Sequence, residues 1–124
     1  MSTHDNNYSY DIQKLLLSVI ISSPTLYTRC QNILKHEYWC NKLQPPAKFI
    51  FEYIQKYNKI PTEDQVSSYT EVVVEKLNDE DIRAMSEWFI ETIENFCKHK
   101  AMEIVIKDAF ETLLEKNMYG EIEK

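Results

Sequence analysis

The sequence predicts an all-α fold, in which a small helical bundle is followed by a long C-terminal helix. Three observations predict it. The 124 residues contain a single glycine, Gly120, so few positions suit the tight turns of β-hairpins. Apolar residues recur at helical spacing along most of the chain. Between Asp79 and Met118 neither proline nor glycine interrupts this pattern. The length suits one domain that buries its own core.

The first predicted unit after a polar lead-in is a helical head. Residues 1–9 are expected to be disordered, and residues 10–77 are expected to form the head. From Tyr10 to Ser22 the chain is apolar on nearly all sides of a helix, which predicts a buried central helix. Ser23 is suited to cap a second helix that has Pro24 at its first position.

The stretch YNKIPTEDQVSSY, Tyr57–Tyr69, predicts that one helix ends, the chain turns and another helix begins. Asn58 tolerates the left-handed conformation found at helix ends, and Pro61 forces the residue before it to be extended. Thr62 and Gln65 have the spacing of a capping box, which marks a helix start. The polar residues here are therefore interpreted as structural.

The remaining parts of the head are predicted from similar signals. The connector after the second helix is expected to pack the aromatic side chains of Tyr38 and Trp39 against the core. Pro45-Pro46 then begins a third helix. The segment TEVVVEKL, residues 70–77, is predicted as helix because no partner strand is visible for its three valines. The residues expected in the head core are Leu16, Val19, Ile20, Phe49, Ile50 and Tyr53.

Residues 78–124 predict a long arm. Acidic residues after Asn78 favour a helix N-terminus, and a continuous helix from Asp79 would be about 60 Å long at about 1.5 Å per residue. A head of this size is narrower, so part of the helix must project, with the apolar stripe of its base continuing along it. A projecting apolar face needs a partner. The residues expected at that interface are Met102, Ile106, Phe110, Leu113 and Leu114, and those expected where the arm meets the head are Trp88 and Phe89.

Composition narrows the classes of partner. The chain has 14 Lys and Arg against 20 Asp and Glu, a net charge of −6, which disfavours strong direct binding to nucleic acid but leaves a local patch open. The most apolar stretch, LLLSVII, is far too short to span a bilayer, so no membrane partner is expected. Three widely spaced cysteines and a polar N-terminus predict reduced thiols in a cytoplasm.

No arrangement of residues predicts an active site or a cofactor. With one glycine the chain cannot contain a phosphate-binding loop, and no catalytic triad has support. HEYWC, His36–Cys40, resembles part of a zinc-protease motif but lacks its second histidine. A metal site built from His36, Cys40, Cys97 and His99 is an alternative that the spacing does not require. The ordinary interpretation is a surface histidine beside a half-buried thiol.

The order of these segments resembles the N-terminal domain of DnaB-type replicative DNA helicases, in particular the branch carried by large tailed phages. The resemblance covers about residues 10–120, and its motifs are packing and turn signals, so their order and spacing carry it. The matching segments are the opening run from Tyr10, Glu37-Tyr38-Trp39, the aromatic helix with Phe49, Ile50 and Ile54, the turn Ile60-Pro61, and the start of the arm from Trp88 to Met102.

The resemblance implies a non-catalytic collar domain in the cytoplasm of a host cell. Such a domain self-associates arm to arm, as a dimer or within a hexameric ring, and docks primase or a helicase loader. The family's arm is a helical hairpin, and residues 78–124 would supply its first limb, so a turn is expected near Gly120, where a truncated second limb would start. Two alternatives remain open: a stand-alone adaptor or inhibitor from a mobile element that imitates this domain to bind a helicase or primase, and a small metal-binding regulator.

Overall fold

The computed structural model describes residues 8–123, with side chains as far as Lys116, and these residues form an all-α fold with a long projecting helix, as predicted. Two short 3₁₀ turns, Gln31–Ile33 and His36–Tyr38, lie between the second and third helices. The five α-helices are α1 (Tyr10–Ser22), α2 (Pro24–Cys30), α3 (Gln44–Tyr57), α4 (Glu63–Thr70) and α5 (Asp79–Glu123).

Helix α1 is the centre of the head, as its apolar sequence predicts. Leu16, Leu17, Val19 and Ile20 are fully buried in it. It ends at Ser22, and the next residue caps α2 in the predicted way, because Ser23 Oγ accepts a hydrogen bond from a backbone N–H of the first turn of α2 at 3.2 Å.

The chain is already ordered before α1 begins, which corrects part of the expected disorder of residues 1–9. The hydroxyl of Ser9 accepts a hydrogen bond from the N–H of Ile12 and so caps α1. The ring of Tyr8 packs against Phe96 of α5, with ring centroids 5.3 Å apart. Residues 1–7 of the expected lead-in lie outside the described residues.

The connector between α2 and α3 is filled by aromatic side chains, as predicted. Tyr38 and Trp39 are both buried. The indole ring of Trp39 meets Phe51 of α3 and Phe96 of α5 edge-on, at centroid distances of 5.4 and 5.0 Å. Its N–H donates to the backbone oxygen of Gln13 at 3.1 Å. The connector thereby joins three helices across the core.

The predicted stop, turn and restart between α3 and α4 is confirmed. Asn58 ends α3 in the left-handed region, with φ 54° and ψ 34°. Thr62 Oγ1 accepts from the N–H of Gln65 at 3.1 Å, and the side-chain oxygen of Gln65 accepts from the N–H of Thr62 at 2.9 Å. This reciprocal pair is a capping box, and it starts α4.

The helix predicted over residues 70–77 is wrong. Helix α4 ends at Thr70, and residues 72–78 are irregular. Two hydroxyls of α1 supply the reason, because the N–H of Glu75 donates to Ser18 Oγ at 3.2 Å and the N–H of Leu77 donates to Ser22 Oγ at 2.7 Å. With partners for these amides the segment needs neither helix nor strand, and it can bury Val74 completely.

The prediction of the head core is correct for α1 and for Ile50, but wrong for two aromatic residues. Phe49 and Tyr53 are only half-buried. They lie on the flank of α3 that faces α4, in a row of rings that continues to Tyr57. Tyr69 of α4, which is 76% exposed, stacks on Phe49 at a centroid distance of 5.0 Å. The aromatic stripe of α3 is therefore wider than the core that it covers.

Helix α5 consists of a base inside the head and a projecting arm. Its first turns follow Asn78, whose side-chain oxygen accepts from the N–H of Asp81 at 2.8 Å and caps the helix. Every residue from 102 to 116 is exposed. The helix continues through Gly120 to Glu123, so the turn and second limb expected there do not occur in the part of the chain that is described.

Candidate protein interface on the projecting helix

The five residues predicted at a partner interface all lie on the arm and are all exposed. Their exposed fractions range from 48% for Leu114 to 63% for Ile106. Two further large apolar residues of the arm, Ile104 and Val105, are also exposed, and the sequence-based prediction omitted them. Large side chains in this number, side by side and open to solvent, are unusual for a helix that has no partner.

Most of these side chains share one face of the helix. Successive residues of an α-helix are rotated by about 100°, which places all the large apolar residues of the arm except Ile104 within about half of the circumference. Ile104 lies on the opposite side, where Asp108, Glu111 and Glu115 also lie. We call the apolar half the arm face, and its residues are Met102, Val105, Ile106, Ala109, Phe110, Leu113 and Leu114.

The arm face is rotated from the buried side of the base. The residues of the base that pack into the head core, Phe89, Ile93 and Phe96 among them, share a direction that differs from the centre of the arm face by roughly 120° at about 100° per residue. The apolar stripe of the base therefore continues into the arm as a wider band, in which Leu114 lies in line with Phe96 and most of the other residues are rotated from it. The head does not cover the arm face, since every residue from 102 to 116 is exposed.

The two residues predicted at the junction of arm and head have different environments. Phe89 is completely buried in the core. Trp88 is 39% exposed and points from the base of α5 in the direction of the arm face. Only Phe89 is therefore packed as expected, because Trp88 lies about 100° around the helix from it, on a side that stays partly exposed.

Polar contacts at the start of the arm lie beside the arm face. The carboxylate of Glu103 lies 3.0 Å from His99 Nε2 and 3.5 Å from Lys100 Nζ. Both pairs are local to one helix and open to water, so each contributes little to stability. Glu103 points between Phe110 and Leu114, so this edge of the arm face carries a charged group.

The surface of the arm has two shallow depressions that a partner's side chains could enter. One, of about 220 Å³, is lined by Ala101, Met102, Val105 and Ile106. The other, of about 490 Å³, is lined by Glu103, Ile104, Ile106, Lys107 and Phe110. Protruding and recessed positions side by side are what knobs-into-holes packing between helices requires.

A separate cleft of about 450 Å³ lies where the base of α5 meets the connector. Ile33, Tyr38 and Cys97 form its apolar lining, and Lys35 and Lys98 belong to its polar lining. Burial raises the pKa of the Cys97 thiol to about 12, with a smaller contribution from Cys30. This thiol is therefore protonated at neutral pH, where only a thiolate would act as a nucleophile or a good metal ligand.

The residues of the alternative metal site are not brought together. Among residues 8–116 there is no group of three or more His, Cys, Asp or Glu side chains that could hold a metal ion. His36 instead lies 3.2 Å from the carboxylate of its neighbour Glu37, and His99 contacts Glu103. The metal-binding alternative therefore gains no support from the geometry.

None of the described helices combines the length and the apolar character needed to cross a membrane. The arm, although apolar on one face, carries charged residues on the other. Comparison of this chain with models of known protein families, with curated proteins and with solved structures gave no match.

Proposed function

We propose that this chain is a non-catalytic docking domain whose arm face pairs with a second protein chain. The observation that carries the proposal is the arm face itself: half of a projecting helix is apolar and exposed. Exposing an apolar helix face of this kind to water is energetically unfavourable, and a partner that covers the face removes this penalty. The pairing we favour is self-association, because the proposed class of protein assembles from copies of one chain.

The specific role we propose is that of the N-terminal collar domain of a phage-type replicative DNA helicase, which would dock primase or a helicase loader in the host cytoplasm. The order of segments that resembles that family supports it. The fold is compatible, since a buried first helix, the Trp39 plug, the turn at Pro61 and the long arm occur in the order that the resemblance implies.

The energetics of pairing predict a modest affinity. Complete burial of a large apolar side chain contributes roughly 1.5–3 kcal/mol. Those of the arm face are about half exposed, so roughly ten of them across two chains would contribute on the order of 10 kcal/mol. Association costs roughly 4–15 kcal/mol. We therefore expect a dimer that dissociates on dilution.

The proposal is tested by two matched substitutions. Ile106→Asp places a charge on the arm face, whereas Ile104→Asp makes the same chemical change on the opposite side of the same turn. Light scattering over a range of concentrations should show a dimer for the wild type and for Ile104→Asp, and a monomer for Ile106→Asp. The double variant Phe110→Asp, Leu114→Asp should also be monomeric, with unchanged helical content by circular dichroism.

Two results would contradict these proposals in different ways. A wild type that stays monomeric at millimolar concentration, or an equal loss of dimer in both isoleucine variants, would remove the arm face as a self-association surface. The collar role is tested by reading the gene sequence, in which we expect an in-frame motor domain with a phosphate-binding loop. Its absence would refute the collar role and leave docking intact.

A further inference from the structure

The flank of α3 that faces α4 carries four aromatic side chains in contact with one another. We call them the aromatic row, and its members are Phe49, Tyr53 and Tyr57 of α3 and Tyr69 of α4. The ring centroids of neighbours are 4.6 to 5.8 Å apart. Tyr57 is 52% exposed and Tyr69 is 76% exposed, so the row is open to solvent at both ends. Aromatic side chains that lie together on a surface are typical of a binding site.

The shape of the row is ridged. The ring of Tyr53 is inclined by 44° to that of Phe49 and by 48° to that of Tyr57, which leaves furrows between neighbouring rings. Tyr69 lies nearly parallel to Phe49, at 19°, and covers one of its faces. The bases of a single-stranded nucleic acid stack on open ring faces. The row is better suited to an extended chain whose compact side chains enter the furrows.

The phenol groups of the row can bind the backbone of such a chain. The hydroxyl oxygen of Tyr53 accepts a hydrogen bond from Gln65 Nε2 at 3.2 Å, which leaves its own hydrogen to be donated. A polyproline II helix has no internal hydrogen bonds, so its backbone carbonyl oxygens are free to accept. Furrows between aromatic rings are the feature with which several domain families hold proline-rich segments in this conformation.

The length of the row fits a short segment of that kind. From Phe49 to Tyr57 helix α3 rises by about 12 Å, at about 1.5 Å per residue. A polyproline II helix rises by about 3.1 Å per residue, so about four of its residues would lie along these three rings.

The row lies in a basic part of an acidic chain. Residues 42–59 contain one acidic residue, Glu52, and four exposed lysines. These lysines are Lys42, Lys48, Lys56 and Lys59. The ammonium group of Lys56 lies over the ring of Tyr57, 5.2 Å from its centroid, and so belongs to the row itself. This charge is complementary to acidic groups on a partner.

The acidic residues at the start of α4 do not cancel this charge at the row. Glu63 and Asp64 are rotated from Tyr69 by roughly 120–140° at about 100° per residue, and so point away from it. The lysines would also attract a nucleic acid locally. Its many phosphates would, however, be repelled by the rest of a chain whose net charge is −6, whereas a peptide with a few carboxylates is repelled less.

We propose that the aromatic row binds a proline-rich segment of another protein, held as a polyproline II helix, with acidic residues next to its prolines. The prolines enter the furrows, the tyrosine hydroxyls donate to backbone carbonyl oxygens, and Lys56 and Lys59 pair with the acidic residues. This surface is formed by α3 and α4 alone. The inference therefore does not depend on the arm face or on self-association.

Three synthetic peptides test the proposal by titration calorimetry. The first has six prolines with two glutamates at each end, and it should bind the full chain. The second keeps the glutamates but replaces the prolines by alternating glycine and serine, which removes the preference for polyproline II. The third keeps the prolines but replaces the glutamates by lysines. The second and the third should each bind at least fivefold more weakly, roughly as the loss of a central contact predicts.

Substitutions locate the site. Tyr57→Ala and Tyr69→Ala should each raise the dissociation constant of the first peptide roughly fivefold or more. Tyr10→Ala is the matched control, because Tyr10 is also an exposed tyrosine, at 40%, but belongs to α1. Lys56→Glu should weaken the first peptide and strengthen the third, a reversal that damage to the fold would not produce. Helical content by circular dichroism should be unchanged in all four variants.

Each contrary result overturns the proposal. Such results are no binding of the first peptide at millimolar concentration, equal binding of the first two peptides, and equal losses in Tyr69→Ala and Tyr10→Ala. A single-stranded oligothymidylate that binds more tightly than the first peptide at the same salt concentration would also overturn it, in favour of nucleic acid. Ile106→Asp should bind the first peptide as the wild type does, so failure of self-association leaves this test unaffected.

Discussion

The side-chain oxygen of Gln13 accepts a hydrogen bond from the backbone N–H of Cys40 at 2.7 Å, across 27 positions of the chain. The amide nitrogen of the same side chain donates to the backbone oxygen of Tyr8 at 2.7 Å. Its backbone oxygen accepts from the indole of Trp39. Gln13 is only 4% exposed, so one buried residue of α1 joins the segment before α1 to the connector after α2.

Replacing Gln13 should therefore destabilise the head more than an ordinary surface change. Gln13→Ala leaves the Cys40 N–H and the Tyr8 oxygen without their partner, and an unsatisfied buried group costs about 1–3 kcal/mol. We expect a loss of that size in the free energy of unfolding, measured with urea. Gln55→Ala on the exposed side of α3 is the control. Equal losses in the two variants would show that the hydrogen bonds of Gln13 contribute nothing specific.

Ser22 should control local rather than global stability. Ser22→Ala removes the acceptor of the Leu77 N–H, so the irregular segment before α5 loses one of its two attachments to α1. We expect hydrogen exchange at the Leu77 amide to become faster by roughly fivefold or more, as the loss of a bond of about 1 kcal/mol predicts. Amide exchange followed by NMR measures it.

The exposed Ser68→Ala on α4 serves as the control for Ser22, since it should leave Leu77 unchanged. If exchange at Leu77 stayed slow in Ser22→Ala, the segment would be held instead by its buried Val74, and the hydroxyl would be dispensable.

The buried thiols should make the protein less stable in alkaline solution. Burial raises the pKa of Cys30 to about 11 and that of Cys97 to about 12, above the ordinary thiol value of 9.0. The unfolded chain then loses protons that the folded chain retains, so stability is full below about pH 9 and falls as the pH rises toward 11 and 12. Urea midpoints at pH 8 and pH 10.5 should show this fall.

Cys97→Ala separates the thiol from other groups that titrate at high pH. The variant should be less stable than the wild type at pH 8, because it loses a buried sulfur, but its midpoint should fall less between pH 8 and pH 10.5. An identical fall in both proteins would mean that the thiol of Cys97 does not contribute to the pH dependence.

The parts of the fold that local chemistry determines were predictable. These parts depend on residues that are close in sequence. They are the helix caps at Ser23 and Thr62, the left-handed conformation of Asn58 and the apolar residues on nearly all sides of α1. The segment around Val74 was not predictable, because its conformation depends on hydroxyls of Ser18 and Ser22 more than fifty positions earlier. Three valines in a row indicated a regular element, and a long-range hydrogen bond decided against it.

The candidate interface was predictable in its residues but not in its direction. Met102 and Ile106 have the apolar character and the spacing of a partner face, and both are exposed. Their relation to Phe96 was missed because the two apolar runs follow each other without a break. Counting rotation along the helix would have shown that the centre of the arm face is turned by about 120° from the buried side of the base, and this count needs only the sequence once a continuous helix is accepted.

The buried base and the exposed arm are successive parts of α5, so folding and the proposed recognition would use separate parts of one element. A change at Leu113 would alter the proposed interface without touching the residues that hold Phe96 in place, so the interface could vary while the core stays intact. Capture and release of a partner would likewise leave the bundle undisturbed. Substitutions on the exposed part of the helix would therefore not require compensating substitutions in the head core.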